Sequence, residues 1–355
     1  MVEYTVLYVI FLFAAMTQVS KSKKLGLPLI IIGVFLSVLI SGFRDMVGGY
    51  DVYIYASYYE NIKIFGNRYS YEYGYYLFNE FLYAINSNRH FLFFIVASIV
   101  GFSQFSLTKR LSPKLYAVVC FIIFCKLYFY SFVYIRQILS VTIIWFSIVQ
   151  LIEREKGKFF LLVLLASFFH KSAIVFLPLI LMNDLVSKKG MCFFYFFSVI
   201  LGLIGSAKIF TIIGGDIRGT GSSIESGVNY LYGLESLLIF IWLLFIRRRY
   251  QSNEIKQKII FNISLFYTCF ILLTLRDATA VRMSWYFLLA PALLISYDLE
   301  SKFKGYKILF SVTIIYFSLL FFRIMFVWDG GDFMPYKSIF ESEPRNGRWE
   351  TLEYR

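Results

Sequence analysis

LLASFFHKSAIVFLPL, residues 164–179, is apolar at both ends, yet His170 and Lys171 stand at its middle. A charged side chain at bilayer depth costs roughly 3 kcal/mol or more on insertion scales, so the pair needs a reason. The stretch is either one span with a polar interruption or two short helices that meet at the pair. That choice sets the sidedness of everything downstream.

The surroundings say that a membrane is involved. The chain has 355 residues, 59% hydrophobic and 16% charged, with mean hydropathy +0.68. A soluble chain of this size carries about 25% charge. Apolar runs of membrane length recur from end to end, which predicts an all-α, polytopic transmembrane helical bundle forming a single integral membrane domain over 1–355. Ten-residue alternating segments do not dominate, which argues against a β-barrel. The first run, 4–19, lacks a basic leader and a small-residue cleavage site, and reads as a retained span. The remaining predicted spans are 25–42, 91–108, 115–132, 138–152, 159–169, 171–182, 192–213, 233–246, 259–275, 283–297 and 308–327. About ten to twelve membrane helices are expected.

The net charge of +13 reads as topology rather than nucleic-acid binding. Short basic clusters mark the inside: Lys21, Lys23 and Lys24; Lys109, Arg110 and Lys114; Arg154, Lys156 and Lys158; Lys188 and Lys189; Arg247, Arg248, Arg249, Lys256 and Lys258; Lys302, Lys304 and Lys307. If 159–182 crossed once, 183–190 would lie outside and every later basic loop would flip. Parity holds when 159–182 enters and returns, as a broken or re-entrant helix pair with His170 and Lys171 at the apex. A single span with a local exception to the charge rule is the alternative. With the pair, both termini, the loop 43–90, the loop 214–232 and the tail 328–355 lie outside. Within 43–90, YEYGYYLFNEFLYAI (71–85) reads as a helix lying at the interface.

The outer face then collects the unusual polar residues: Arg44, Asp45, Asp51 and Glu72; Arg136 and Gln137; His170 and Lys171; Arg276, Asp277 and Arg282. A lone Arg at a membrane surface is often a snorkelling anchor. Several Arg from different helices suit bidentate contacts to phosphate oxygens without a metal. Gly48 and Gly49 permit a sharp bend. Asp51 and Tyr55 share a helical face, as do Arg282 and Tyr286; Asp51 is equally a candidate helix cap. His170 has an unperturbed pKa of about 6.5, suited to proton transfer, against the alternative of a packed core histidine. The four cysteines lie in apolar runs without CxxC spacing, and two histidines cannot build a His-rich metal site. Neither metal nor cofactor is assigned.

FRDMVGGYD (43–51) with Tyr55 and Glu72, YIRQ (134–137), FHKSAIVFLPL (169–179), RMSWYF (282–287) and MPYKS (334–338), in this order and on one side of the membrane, resemble the EpsG/Wzy-type polysaccharide polymerase family. The resemblance implies a GT-C-like architecture and a metal-independent glycosyltransferase in a bacterial cytoplasmic membrane. Its active site would face the periplasm or outside. The implied substrate is an undecaprenyl-pyrophosphate-linked oligosaccharide met in membrane lipid, with a flippase and a chain-length regulator of the same pathway as candidate partners and no nucleic acid. Read on these residues, Arg136, Arg282 and His170 are the catalytic candidates. Arg44, Asp45, Asp51, Tyr55, Glu72, Gln137, Lys171, Arg276 and Tyr286 are the binding candidates. A flippase for the same lipid-linked sugar, a glycan ligase and a membrane acyltransferase remain alternatives. For the helix pair, Ser187→Cys is expected to resist impermeant external thiol reagents in intact cells; labelling there would overturn the two-helix reading.

Overall fold

A computed structural model describes residues 1–20, 25–67, 71–182, 184–204, 228, 230–251, 254–276, 280–329 and 331–342. Lys21, Lys23, Lys24, Asp277, Lys208, most of the loop 214–232 and the end of the tail lie outside the described residues, as do residues 205–213 of the expected span 192–213. The described residues form helices and no strand, apart from one antiparallel bridge between Arg44 and Ser338. Two compact units are present, Met1–Thr142 with Ile295–Arg355, and Ile143–Leu294.

In the first unit, α1 (Val2–Val19), α2 (Gly26–Gly42), α6 (Arg89–Leu111) and α7 (Tyr116–Leu127) pack side by side. All twelve residues of α7 are buried, which explains why its sequence, Lys126 apart, is apolar all round rather than on one face. Aromatic rings fill this core: Phe11 stacks on Phe124 at 4.4 Å and Tyr8 on Phe321 at 5.3 Å. Phe321 belongs to α16 (Tyr306–Arg323), which also packs on α7. Between α2 and α6 lie α3 (Tyr50–Glu60), α4 (Ile62–Phe65) and α5 (Tyr73–Ile85). The chain turns into α3 through Gly48 (φ 132°) and Gly49 (φ 79°), values that side chains rarely tolerate. After the short α8 (Tyr130–Val133), α9 (Ile135–Ile152) begins with Arg136 and Gln137 in its first turn.

The second unit contains the broken pair. α10 (Lys156–Phe169) stops at His170, whose extended backbone (φ −157°, ψ 116°) ends the α-ladder, and a 3₁₀ helix runs from Lys171 to Leu181. Eleven residues is a long 3₁₀ run. The two arms are about 21 Å and 22 Å long, and neither spans a hydrocarbon core of about 30 Å. The rings of Phe159 and Phe176, on opposite sides of His170, lie 6.1 Å apart, so the chain doubles back there. Beyond it, α11 (Lys188–Ile204) and α12 (Tyr230–Tyr250) each pack on α13 (Ile255–Leu272), and the Phe176 ring of the 3₁₀ arm meets Phe287 at 5.0 Å.

By length and composition, six described helices can cross a membrane: Val2–Val19, Arg89–Leu111, Ile135–Ile152, Tyr230–Tyr250, Ile255–Leu275 and Tyr306–Val327. The other apolar helices are shorter, among them Gly26–Gly42 and Tyr116–Leu127. The expected span 283–297 is not α-helical throughout. It is α14 (Val281–Ser284), a 3₁₀ turn at Trp285–Phe287 and α15 (Leu289–Glu300). Trp145 pins that break by donating its Nε1–H to the carbonyls of Trp285 at 3.3 Å and Tyr286 at 3.2 Å. An apolar pattern does not reveal such a break, because both halves stay buried.

At Gly202, α11 approaches α13 so closely that a Cβ would collide with the carbonyl oxygen of Leu272. Overpacking of this kind costs about 1–3 kcal/mol. Gly202→Ala should therefore lower the thermal unfolding midpoint in detergent, while Gly157→Ala, with open space around it, should not.

Candidate functional site

Two polar clusters are built, one in each unit. In the first unit Arg136 is the centre. It forms a short ion pair with Glu72, and both side chains are largely withdrawn from solvent. Its Nε–H donates to the Tyr55 hydroxyl at 3.3 Å, and its guanidinium lies 4.5 Å from the centroid of the Tyr71 ring. Tyr55, Tyr58, Tyr71 and Tyr75 contact one another edge-on or tilted around it. Burial raises the Tyr55 and Tyr75 hydroxyls above their usual range, so both stay neutral and can only share hydrogen bonds near pH 7. Glu72 stands at the N-cap of α5, where the helix dipole favours a carboxylate. Gln137, the next residue along α9, is buried.

Asp51 does not cap α3. Gly49 holds the cap position, and Asp51 sits inside the first turn on the face that carries Tyr55. Asp51 is half-buried beside the tyrosine cluster, and its charge in the first turn also favours the helix N-terminus.

Arg44 is placed differently from a ligand-facing arginine. It is 2% exposed. Its Nε–H donates to the Val47 carbonyl at 3.0 Å and its Nη2 to the Phe132 carbonyl at 3.1 Å, while Nη1 donates to the carbonyl and hydroxyl of Ser41. The rings of Phe93 and Phe132 flank it at 4.5 and 4.7 Å. Burial pushes its pKa down to about 10, so the group stays charged near neutrality. Its donors clamp the chain entering the Gly48–Gly49 turn to the segment just ahead of α9.

Asp45, the next residue, points elsewhere. Its carboxylate meets Lys337 Nζ at 2.9 Å and lies 3.7 Å from His90 Nε2. The backbone supports this contact, since Asp45 N–H donates to Lys337 O and Ile339 N–H to Phe43 O, both at 2.9 Å. Gly48 N–H also donates to Asp332 O at 2.9 Å. The segment 332–339 thus straps the turn that leads into α3. His90 was not among the candidate site residues read from sequence, and Lys337 and Tyr71 entered only as members of MPYKS (334–338) and of the stretch 71–85. Arg136 and Glu72 alone are 64 residues apart in the chain, and no spacing rule links such positions.

In the second unit, His170 N–H donates to Ala166 O at 2.9 Å and its carbonyl accepts from Ala173 N–H at 3.0 Å, joining the two arms of the broken pair. Two residues on, the Ser172 hydroxyl shares a hydrogen bond of 2.9 Å with Tyr286. The apex is thus tied to the helix break that carries Arg282. His170 and Arg282 are half-buried, Lys171 and Arg276 exposed, and Tyr286 buried. Among the described residues no group of three or more His, Cys, Asp or Glu is placed to hold a metal ion.

The helices and these clusters define a polytopic α-helical integral membrane protein with charged groups gathered at helix starts and breaks. The chain belongs to the EpsG family, whose model matches residues 26–338. No curated protein and no solved structure matches it. Family membership points to a polysaccharide-polymerase-like function, of glycosyltransferase type in general terms.

Arg44→Ala would strand the buried carbonyls of Ser41, Val47 and Phe132, each worth roughly 1–3 kcal/mol when unpaired. A loss of about 3 kcal/mol or more is expected in denaturant unfolding in micelles. Arg44→Lys should recover little of it, because an ammonium lacks the planar fork.

Proposed function

We propose that this protein is a metal-independent polysaccharide polymerase. It would act at the outer face of a bacterial cytoplasmic membrane, with both chain termini on that side. It would move a growing glycan from undecaprenyl pyrophosphate onto the non-reducing end of a lipid-linked repeat unit. A flippase that delivers the units and a chain-length regulator fit as partners. The observation that carries this reading is Arg136: a desolvated guanidinium in a ring of tyrosines, at the first turn of a membrane-length helix, within a chain of the EpsG family.

The chemistry assigns the roles. The acceptor hydroxyl attacks the anomeric carbon of the growing chain. The bond from that carbon to the pyrophosphate oxygen breaks, and undecaprenyl pyrophosphate leaves with the bonding electron pair. Developing charge on the leaving group calls for fixed positive donors. Arg136 and Arg282 serve there, with Arg276 and Lys171 as further phosphate contacts. The hydroxyl proton passes to a base, for which His170 is the first choice and Asp51 the second. Tyrosine faces suit sugar rings, whose C–H bonds pack on aromatic carbon while hydroxyls bond at the rim. Tyr55 and the neighbouring rings supply that surface, with Glu72 and Gln137 as hydroxyl partners. Glu72 has a second role, since it neutralises Arg136 until a phosphate replaces it. Arg44, by its contacts, supports the turn into α3 rather than touching substrate, and Asp45 holds the strap at Lys337. Tyr286 orients the apex through Ser172.

Purified protein given lipid-linked repeat units should produce a ladder of glycans on a gel. A single shift onto another carrier would indicate a ligase, and unchanged substrate with transport in vesicles a flippase. Arg136→Ala and Arg282→Ala should each slow the ladder at least about a hundredfold. His170→Ala should also slow it about a hundredfold or more. His170→Ala and Arg282→Ala should keep the parent unfolding midpoint, while Arg136→Ala, which strands the buried Glu72 carboxylate, should stay folded with a lowered one. Near-normal activity of His170→Ala would transfer the base role away from it.

A further inference from the structure

α5 has two faces of different character. One face, with Tyr75, Asn79 and Leu82, is buried against its own unit. The other carries Tyr73, Leu77, Phe81 and Ile85, which are 58%, 44%, 66% and 61% exposed. These four recur at a strict spacing of four, so they form one stripe that covers roughly 120° of the helix. Large apolar side chains aligned along an exposed helix face mark a contact surface. The stripe is flanked by charge, with Lys63 of α4 pairing with Glu80 at 3.7 Å.

The chain itself places this stripe near a bilayer. α6 starts at Arg89, four residues after Ile85, so the end of α5 lies within about 14 Å of the start of a membrane-length helix. Two contacts hold it there. The Tyr59 hydroxyl donates to the Asn86 carbonyl at 2.6 Å, and Arg89 pairs with Glu60 at 3.7 Å. A helix with one apolar stripe, a charged flank and a tether to a spanning helix has the features of one that lies in the interface plane. We propose that the Tyr73–Leu77–Phe81–Ile85 stripe docks α5 on the lipid bilayer, with these side chains seated between headgroups and acyl chains.

The same helix begins at Glu72, the partner of Arg136, and its buried face carries Tyr75 of the tyrosine ring. Docking would therefore set the height of the Arg136 cluster above the hydrocarbon. The significance of that height for a lipid-linked pyrophosphate rests on the polymerase reading; the docking itself does not.

The test uses the full chain in nanodiscs of phosphatidylcholine and phosphatidylglycerol. Cysteines are introduced singly as Leu77→Cys, Phe81→Cys and Ile85→Cys in a Cys192→Ser background, since Cys120, Cys125 and Cys269 are buried. Each carries a nitroxide label, and collisions with oxygen and with a water-soluble nickel chelate are compared by power saturation. Oxygen should dominate at all three positions. Dominance of the nickel chelate would show a water-facing stripe and overturn the proposal. Shielding from both reagents would show cover by protein, such as a second copy of the chain, and would overturn it equally. Lipid contact without any glycan ladder would leave the docking intact and strike only the polymerase reading.

Discussion

Hydrocarbon offers no hydrogen bonds, so each polar group in an apolar helix must find its partner within the protein. The buried hydroxyls show how this is met. Ser37, Thr142, Ser147, Ser264, Thr268, Thr274 and Ser284 each donate to a carbonyl three or four residues earlier in their own helix. Trp145 gives its indole N–H to the carbonyls of Trp285 and Tyr286, where α-helix gives way to a 3₁₀ turn. Arg44 is the largest case. Three carbonyls and a hydroxyl surround a charge that would otherwise be costly to bury, and two aromatic faces complete the shell. The same constraint makes helix breaks the places where chemistry can be concentrated. At a break the backbone groups must be satisfied by side chains or neighbours, and polar residues gather there.

Both clusters follow this logic. Arg136 stands in the first turn of α9, just after the short α8. His170 stands where an α-helix gives way to a 3₁₀ helix, and Tyr286 and Arg282 stand where α14 gives way to another 3₁₀ turn. The turn into α3 is fixed from two directions, by Arg44 beneath and by the 332–339 strap, which contributes Lys337 to Asp45 and the Asp332 carbonyl to Gly48. The position of Asp51 and Tyr55 therefore depends on segments near opposite ends of the chain.

Much of the fold was legible in the residues. Helix after helix falls within a few residues of its predicted span, because membrane length and apolarity leave few other options. The broken pair at 159–182 was legible through counting basic loops, since a charge rule acts on the whole topology at once. The break at 285–287 was not, because Trp285, Tyr286 and Phe287 are as apolar and as buried as a continuous span would be. Among the site residues, Arg136, Tyr55 and Glu72 stood out by type and place, and the structure joins them. Arg44 stood out equally, yet its donors serve backbone carbonyls, a distinction that residue type does not carry.

The sequence by itself determined the class of protein, because apolar length imposes helices, and the cost of intramembrane charge drew attention to His170 and Lys171, where the helix pair breaks. Only the tertiary structure decided the pairings. Which oxygen each arginine meets, which tyrosine faces Arg136, and which residue holds Asp45 depend on contacts between segments far apart in the chain. Such contacts follow from packing geometry within narrow distance limits, and neither periodicity nor composition encodes them.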